Sequence, residues 1–154
     1  MACVPCDTTD RVLCPHPSNK TFPAGWCSIE KHEFSQLCSG LRVNGSIRTL
    51  TLDGNKIHVT ALCDTLTKNA NNIIARLSLW RCSLESDSAG PLGDIVRMNT
   101  SITDLVLAGN MIGEAGAEAI GAGLKCNRSL TKLDLWGCGI GSEGCGKLIQ
   151  GISR

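Results

Sequence analysis

The sequence predicts an α/β solenoid, a right-handed curved horseshoe with parallel strands on its concave side and helices on its convex side. Three observations predict it. Apolar residues recur in one pattern at steps of 27 or 28 residues. Each copy alternates apolar and polar residues over a few positions and then changes to helical spacing. A stack of about five such units fits 154 residues, because each repeat buries its apolar side against its neighbours.

The pattern is clearest in four copies that begin at residues 46, 73, 101 and 129. Each follows L-x-x-L-x-L-x-x-(N or C)-x-L, the leucine-rich-repeat signature. In chain order the copies supply Ile47, Leu50, Leu52, Asn55 and Ile57; Ile74, Leu77, Leu79, Cys82 and Leu84; Ile102, Leu105, Leu107, Asn110 and Ile112; and Leu130, Leu133, Leu135, Cys138 and Ile140.

A degenerate copy precedes these four, with Phe22, Ala24, Cys27 and Ile29 on the pattern one period earlier. Pro23 interrupts its strand, which is expected only at the edge of a sheet. We therefore predict a repeat domain over residues 22–154. Its first unit is a capping repeat at 22–45, and residues 1–21 form an irregular tail that contains Cys and Pro.

The helices are expected in the second half of each repeat. In the first repeat, Phe34, Leu37, Cys38 and Leu41 recur at helical spacing within residues 30–43. The later helices are predicted at about residues 59–68, 90–98, 114–125 and 142–152. The fourth, GEAGAEAIGAGL, is rich in Gly and Ala, which lowers its intrinsic stability. We expect close packing against adjacent helices to hold it.

One position of the pattern alternates between two residue types, as Cys27, Asn55, Cys82, Asn110 and Cys138. With this alternation, and with Leu-Trp-x-Cys at residues 79–82 and 135–138, the chain resembles the ribonuclease-inhibitor-like leucine-rich repeats from about residue 22 to 154. The resemblance implies the horseshoe fold and protein binding. We expect these five residues to bond neighbouring backbone in the turns, a structural role. The same repeat type is similar to that of intracellular immune receptors and Ran GTPase-activating proteins, so fold-level analogy does not choose the partner.

The candidate binding surface consists of residues between the core leucines, because alternation along a strand turns them to the concave side. Trp80 and Trp136 occupy the same position two repeats apart, on the order of 10 Å along the face. Trp and Arg are enriched among interface hot spots. We predict that a protein partner binds through Trp80, Trp136, Arg76, Arg81, Asp53, Asp104, Lys132 and Asp134. The alternative, in which both tryptophans serve only packing between repeats, remains open at this point.

Composition disfavours nucleic acid and membrane as partners. The formal charge is +1, the charged fraction is 19%, and no stretch approaches the ~18 apolar residues of a membrane span. The N-terminus lacks the basic and apolar regions of a signal peptide. Several of the ten cysteines occupy positions that point into the stack. We therefore expect a soluble cytoplasmic protein with reduced thiols.

No cofactor, metal site or catalytic centre is predicted. Cys3, Cys6, Cys14 and His16 are residue types that bind zinc, but their spacing matches no common finger. The three histidines fall outside the concave face, so no nucleophile, base and orienting group converge there. The glycine-rich turns lack the Lys and Ser/Thr ending of a phosphate loop.

Two further features bear on function. Asn19, Asn44, Asn99 and Asn127 begin Asn-x-Ser/Thr sequons, and the last three recur just before a strand, so duplication explains them better than glycosylation. The last helix reaches the C-terminus without a polar capping repeat, which predicts an open end where the chain self-associates, meets a partner or continues into a longer array.

A protein-interaction scaffold is the favoured function. An enzyme inhibitor of ribonuclease-inhibitor type and a GTPase-activating or structural assembly module are the alternatives.

Overall fold

The computed structural model describes residues 20–68 and 73–153 and confirms an α/β leucine-rich-repeat solenoid. In these residues each of five short strands is followed by a helix. The strands are β1 (Thr21–Pro23), β2 (Thr49–Thr51), β3 (Arg76–Ser78), β4 (Asp104–Val106) and β5 (Lys132–Asp134). The helices are α1 (Lys31–Val43), α2 (Val59–Lys68), α3 (Ala89–Met98), α4 (Gly113–Leu124) and α5 (Gly141–Ile152), with a 3-10 turn at Ser86–Ser88 before α3.

The five strands form one parallel sheet in chain order. Leu50 pairs with Phe22 on one side and with Leu77 on the other. Leu105 pairs in the same way with Leu77 and with Leu133. Equivalent positions of successive repeats therefore stand side by side, and the residues between the leucines form rows across the sheet.

The predicted helices differ from the observed ones only at their ends, and the 3-10 turn at Ser86–Ser88 was not predicted. The irregular segment was expected to extend to residue 21, but β1 begins at Thr21. The pairing with the next repeat starts at residue 20, because the N–H groups of Arg48 and Thr49 both donate to the Lys20 carbonyl. Helices α3, α4 and α5 each begin one residue earlier than predicted, and α4 also ends one residue earlier.

The core lies between the sheet and the helices and runs continuously through the stack. The strand leucines of β2, β3 and β4 are fully buried, and each helix adds apolar residues such as Phe34, Leu62 and Ile95. Burial decreases at the last repeat, where Leu130, Leu133 and Leu135 are only half-buried. The core is therefore less completely covered at β5 than at β2, β3 and β4.

Glycines let the last three helices approach one another closely, as expected for α4. A Cβ on Gly93 would lie 2.9 Å from the Ala119 carbonyl oxygen, and one on Gly121 would lie 2.6 Å from that of Lys147. Real Cβ atoms essentially never come so close, so the α3–α4 and α4–α5 contacts depend on these glycines. None of the helices in residues 20–68 and 73–153 is long and apolar enough to cross a membrane.

Candidate functional site

Two buried asparagines connect the turns that follow the strands. Asn55 accepts hydrogen bonds at Oδ1 from the backbone N–H groups of Cys27 and Ile29, both at 3.2 Å. Its Nδ2 donates to the carbonyls of Ala24 at 2.6 Å and Leu52 at 2.8 Å. Two repeats later, Asn110 Oδ1 accepts a hydrogen bond of 3.1 Å from the Leu84 N–H, and its Nδ2 donates to the carbonyls of Leu79 at 2.8 Å and Leu107 at 2.6 Å. Each asparagine thus satisfies backbone groups of its own turn and of the preceding one.

The cysteines at the same position act as hydrogen-bond donors. The Sγ atoms of Cys82 and Cys138 lie 3.2 Å from the carbonyl oxygens of Leu52 and Leu107 in the preceding repeats. Cys27 instead donates to the Gly25 carbonyl of its own turn. Burial raises the pKa of Cys82 to about 12 and also raises the pKa of Cys138. Both thiols therefore stay protonated and unreactive at neutral pH.

The centre of the concave face carries a charge row formed by Arg76, Asp104 and Lys132, which stand side by side on β3, β4 and β5. Arg76 Nη1 lies 3.2 Å and Lys132 Nζ 3.6 Å from Asp104 Oδ2. Both cations are well exposed, whereas the carboxylate between them is mostly shielded. One carboxylate faces two cations, so this row carries a net positive charge.

The other two predicted carboxylates are used within the chain. Asp53 Oδ1 accepts hydrogen bonds from Ser78 Oγ at 2.6 Å and from the backbone N–H of Trp80 at 2.9 Å. Asp53 therefore fixes the turn that carries Trp80. Asp134 is exposed, and its Oδ1 accepts a bond of 3.0 Å from the backbone N–H of Trp136.

A cluster of three large side chains lies at the turns, beyond the C-terminal ends of the strands. We call Trp26, Trp80 and Arg81 the turn-edge cluster. The indoles of Trp26 and Trp80 meet edge to face, with ring centroids 5.8 Å apart and planes at 81°. The guanidinium carbon of Arg81 lies 4.8 Å from the Trp80 ring centroid, within cation–π range. Trp26 is still 52% exposed, so the cluster presents a large aromatic surface to solvent.

The backbone beneath this cluster is unusual. Trp26 and Arg81 have φ values of +58° and +51°, a left-handed conformation that disfavours residues with a Cβ. The equivalent positions in the other three repeats are Gly54, Gly109 and Gly137, all with positive φ. The side chains of Trp26 and Arg81 lie over the next glycine in this row, Gly54 and Gly109 respectively.

The structure therefore separates the two predicted tryptophans. Trp80 is half-buried against Trp26, while Trp136 is 72% exposed and has no aromatic neighbour in the described residues. Trp26 was missing from the predicted site. The sequence feature that could have identified Trp26 is its position directly before Cys27, because Arg81 directly precedes Cys82 in the same way.

The sequon asparagines have structural roles at the strand entrances. Oδ1 of Asn99 accepts bonds from the backbone N–H groups of Ser101 and Ile102, and Asn44 and Asn127 do the same in their repeats. Nδ2 of Asn99 and of Asn127 donates to a carbonyl of the preceding repeat, and both residues are buried. These two amides are therefore inaccessible to a glycan in the fold. Asn19 lies outside the described residues.

Residues 20–68 and 73–153 contain no group of three or more His, Cys, Asp or Glu side chains placed to hold a metal ion. The tail residues considered as zinc ligands, Cys3, Cys6, Cys14 and His16, lie outside the described residues.

Comparison with known proteins identifies similar repeats. A family profile described as Leucine Rich repeat matches residues 99–121 and 126–148. The ribonuclease inhibitor of Mus musculus is 32% identical over 129 residues, covering 81% of this chain and 28% of the inhibitor. That of Sus scrofa is 31% identical over 123 residues, covering 77% and 27%. NACHT, LRR and PYD domains-containing protein 2 of Homo sapiens is 30% identical over 127 residues, covering 80% and 12%. The chain thus spans less than a third of the length of these relatives.

Proposed function

The chain is a leucine-rich-repeat protein of the ribonuclease-inhibitor-like kind, and from this premise we propose that it is a non-catalytic module that binds a partner protein. Leucine-rich repeats present extended concave surfaces to their ligands. The proposed contact surface joins the turn-edge cluster to Trp136 and the charge row. A cytoplasmic location is part of the proposal, because the protonated, hydrogen-bonded thiols of Cys82 and Cys138 suit a reducing compartment.

The observation that carries the proposal is the backbone conformation of Trp26 and Arg81. Glycine adopts positive φ without a steric penalty, and a residue with a Cβ costs roughly 1 kcal/mol more there. Stability alone favours Gly at this position, as in the three other repeats. Strained residues of this kind concentrate at functional sites. Trp and Arg are also the side chains that most often dominate protein interfaces.

The electrostatics of the face indicate the kind of partner surface that fits. Arg76 and Lys132 share the single carboxylate of Asp104, and Arg81 adds an exposed cation stacked on Trp80. An acidic patch beside apolar side chains complements this arrangement. We infer that the partner contributes carboxylates to the charge row and apolar groups to the tryptophans.

The test is capture of partners from a native extract under reducing conditions, comparing wild type with Trp136→Ala and with Arg81→Gly. Trp136 is largely exposed, so its loss should leave the fold intact. Arg81→Gly relieves the positive φ but loses the cation–π contact. The two effects are each about 1 kcal/mol and oppose each other, so stability should stay nearly constant. We expect each variant to bind a captured partner at least about tenfold more weakly.

The matched control is Val43→Ala, because Val43 is an apolar side chain that is 82% exposed at the end of α1, outside the proposed surface. It should bind like wild type. If wild type, both variants and the control retain the same proteins with equal affinity, then neither the turn-edge cluster nor Trp136 is the binding surface.

A second candidate function is inhibition of a ribonuclease, which the similarity to the mouse and pig inhibitors favours. A titration of a ribonuclease with the chain, under reducing conditions, tests it directly. Loss of activity with a defined stoichiometry would support this function. Full activity at a large excess of the chain would reject it and leave the more general binding role. No feature of the described residues favours the GTPase-activating alternative.

A further inference from the structure

A pocket lies at the turn edge of the stack, between the third and the fourth of the five repeats. Its volume is about 370 Å³, so it can hold one large side chain. We call it the turn pocket, and its lining includes Arg81, Ser83, Leu84, Glu85, Asn110 and Met111. Because repeats are present on both sides of it, its shape is set by packing within the stack.

The floor of the turn pocket is held by hydrogen bonds between the two repeats. Met111 N–H donates to the Leu84 carbonyl at 2.9 Å. Leu84 N–H donates to Asn110 Oδ1 at 3.1 Å, and both of these residues are buried. The floor is therefore formed before any ligand arrives, which lowers the entropic cost of binding.

Two long side chains form the walls, because glycines in the following repeats leave room for them. Cγ of Arg81 would lie 2.8 Å from a Cβ on Gly109, and Cε of Met111 would lie 3.3 Å from a Cβ on Gly139. Met111 is nonetheless 66% exposed. Its thioether can therefore contact the ring of a ligand, and contacts between sulfur and aromatic rings are favourable.

Positive φ values place two polar side chains at this pocket. Arg81 and Ser83, on either side of Cys82, have φ values of +51° and +55°. The equivalent positions in the fifth repeat are Gly137 and Gly139, with φ values of +66° and +65°. Both positions suit glycine, yet in the third repeat both carry polar side chains that line one pocket. Strained residues of this kind are concentrated at functional sites.

The charges at the turn pocket balance. Arg81 and Glu85 are both exposed, and neither forms a salt bridge within residues 20–68 and 73–153. A charged ligand would be attracted to one of them and repelled by the other. A hydroxyl group suits both kinds of partner, because it donates to a carboxylate and accepts from a guanidinium or another hydroxyl. The pocket therefore favours a neutral side chain with a polar tip.

We propose that the turn pocket binds a tyrosine side chain of the partner protein. The ring packs on Leu84 and against the Met111 thioether. Its hydroxyl donates a hydrogen bond to Glu85 and accepts one from Ser83. Tyrosine combines a large apolar ring with a polar tip and is common among interface hot spots. This chain contains no tyrosine, so a second copy cannot supply it. The inference rests on the proposed partner binding, and it names the side chain that the partner contributes.

A titration with a single capped amino acid tests the pocket without any partner present. The full chain is labelled with ¹³C at its methionine methyl groups, and N-acetyl-L-tyrosinamide is added as the probe. The ring current of the probe should shift the Met111 methyl resonance upfield, and the shift should saturate at millimolar concentrations. Met98 at the end of α3 is the internal control, because it is 49% exposed but lies outside the pocket. Its resonance should not move.

The hydroxyl contact is tested by comparing probes and variants. N-acetyl-L-phenylalaninamide should bind about fivefold more weakly, because the hydrogen bond to Glu85 is lost. Glu85→Ala should weaken the tyrosine probe by the same factor and leave the phenylalanine probe unchanged. Glu143→Ala is the matched control, since it removes an exposed carboxylate on α5, outside the pocket. This variant should bind both probes like wild type.

Three results would overturn the proposal. A Met111 resonance that stays in place up to the solubility limit of the tyrosine probe would mean that no ring enters the pocket. Equal affinity for the two aromatic probes would mean that the hydroxyl is not recognised. Tighter binding of capped lysine or glutamate would assign the pocket to a charged side chain. None of these results decides whether Trp136 and the turn-edge cluster bind a partner, which the capture experiment tests separately.

Discussion

At the residue scale, the turn after each strand is held by two different kinds of side chain. Asn55 and Asn110 both donate and accept, and each bonds backbone groups in two repeats. Cys82 and Cys138 only donate, through a weak S–H group. The asparagines should therefore contribute more to the free energy of unfolding than the cysteines at the same position of the repeat.

Asn110→Ala should lower the free energy of unfolding by about 3 kcal/mol, because it leaves several buried backbone groups without partners. Cys138→Ala should lower it by only about 1 kcal/mol, since one weak donor and one sulfur atom are lost. Urea denaturation of both variants measures the difference. Equal losses would contradict the asymmetry between the two residue types.

The buried thiols also predict that the free energy of unfolding depends on pH. Burial raises the pKa of Cys82 from 9.0 to about 12, so the folded state holds this proton more tightly than the unfolded chain does. The resulting stability is complete below pH 9 and is lost as the pH rises from about 9 to about 12. Cys38, Cys63 and Cys138 are shifted in the same direction.

Thiol titration provides the matching measurement. Cys126 and Cys145 are exposed and should react with a disulfide reagent in the folded protein at pH 8. Cys82 and Cys138 should react only after denaturant is added. Rapid native labelling of Cys82 would show that its proton is not held by burial and would remove the basis of the pH prediction.

At the element scale, α4 is an intrinsically weak helix that packing holds in place. Gly121→Ala should destabilise the protein by about 1–3 kcal/mol, although Ala is the better helix former, because the new Cβ would meet the backbone of α5. Gly146→Ala in α5 is the control, since nothing lies within 4 Å of a Cβ there. It should stabilise by about 0.5–1 kcal/mol. Thermal unfolding of both variants checks the opposite signs.

The repeat period was sufficient to predict the elements, because each apolar position must return to the same place in the stack. The strands and helices therefore fall within about one residue of their expected places. The turn-edge cluster could not be predicted in the same way. Trp26 of the first repeat contacts Trp80 of the third, and its ring reaches there over Gly54 from a backbone with positive φ. Periodicity describes what the repeats share, whereas this cluster arises where they differ.

At the scale of the whole molecule, stability should vary along the stack, since each repeat depends on its neighbours. Leu105 is buried between the repeats on both sides of it, whereas its equivalent Leu133 in β5 is only half-buried. Leu105→Ala should therefore lower the free energy of unfolding by about 3–4 kcal/mol and Leu133→Ala by only about half as much.

Urea denaturation of both variants measures this difference. The reason for it is packing: removing a fully enclosed side chain leaves a cavity that its neighbours cannot fill, whereas a half-buried side chain leaves a space that water can enter. Equal losses for the two variants would mean that burial within the stack does not set the contribution of a strand leucine.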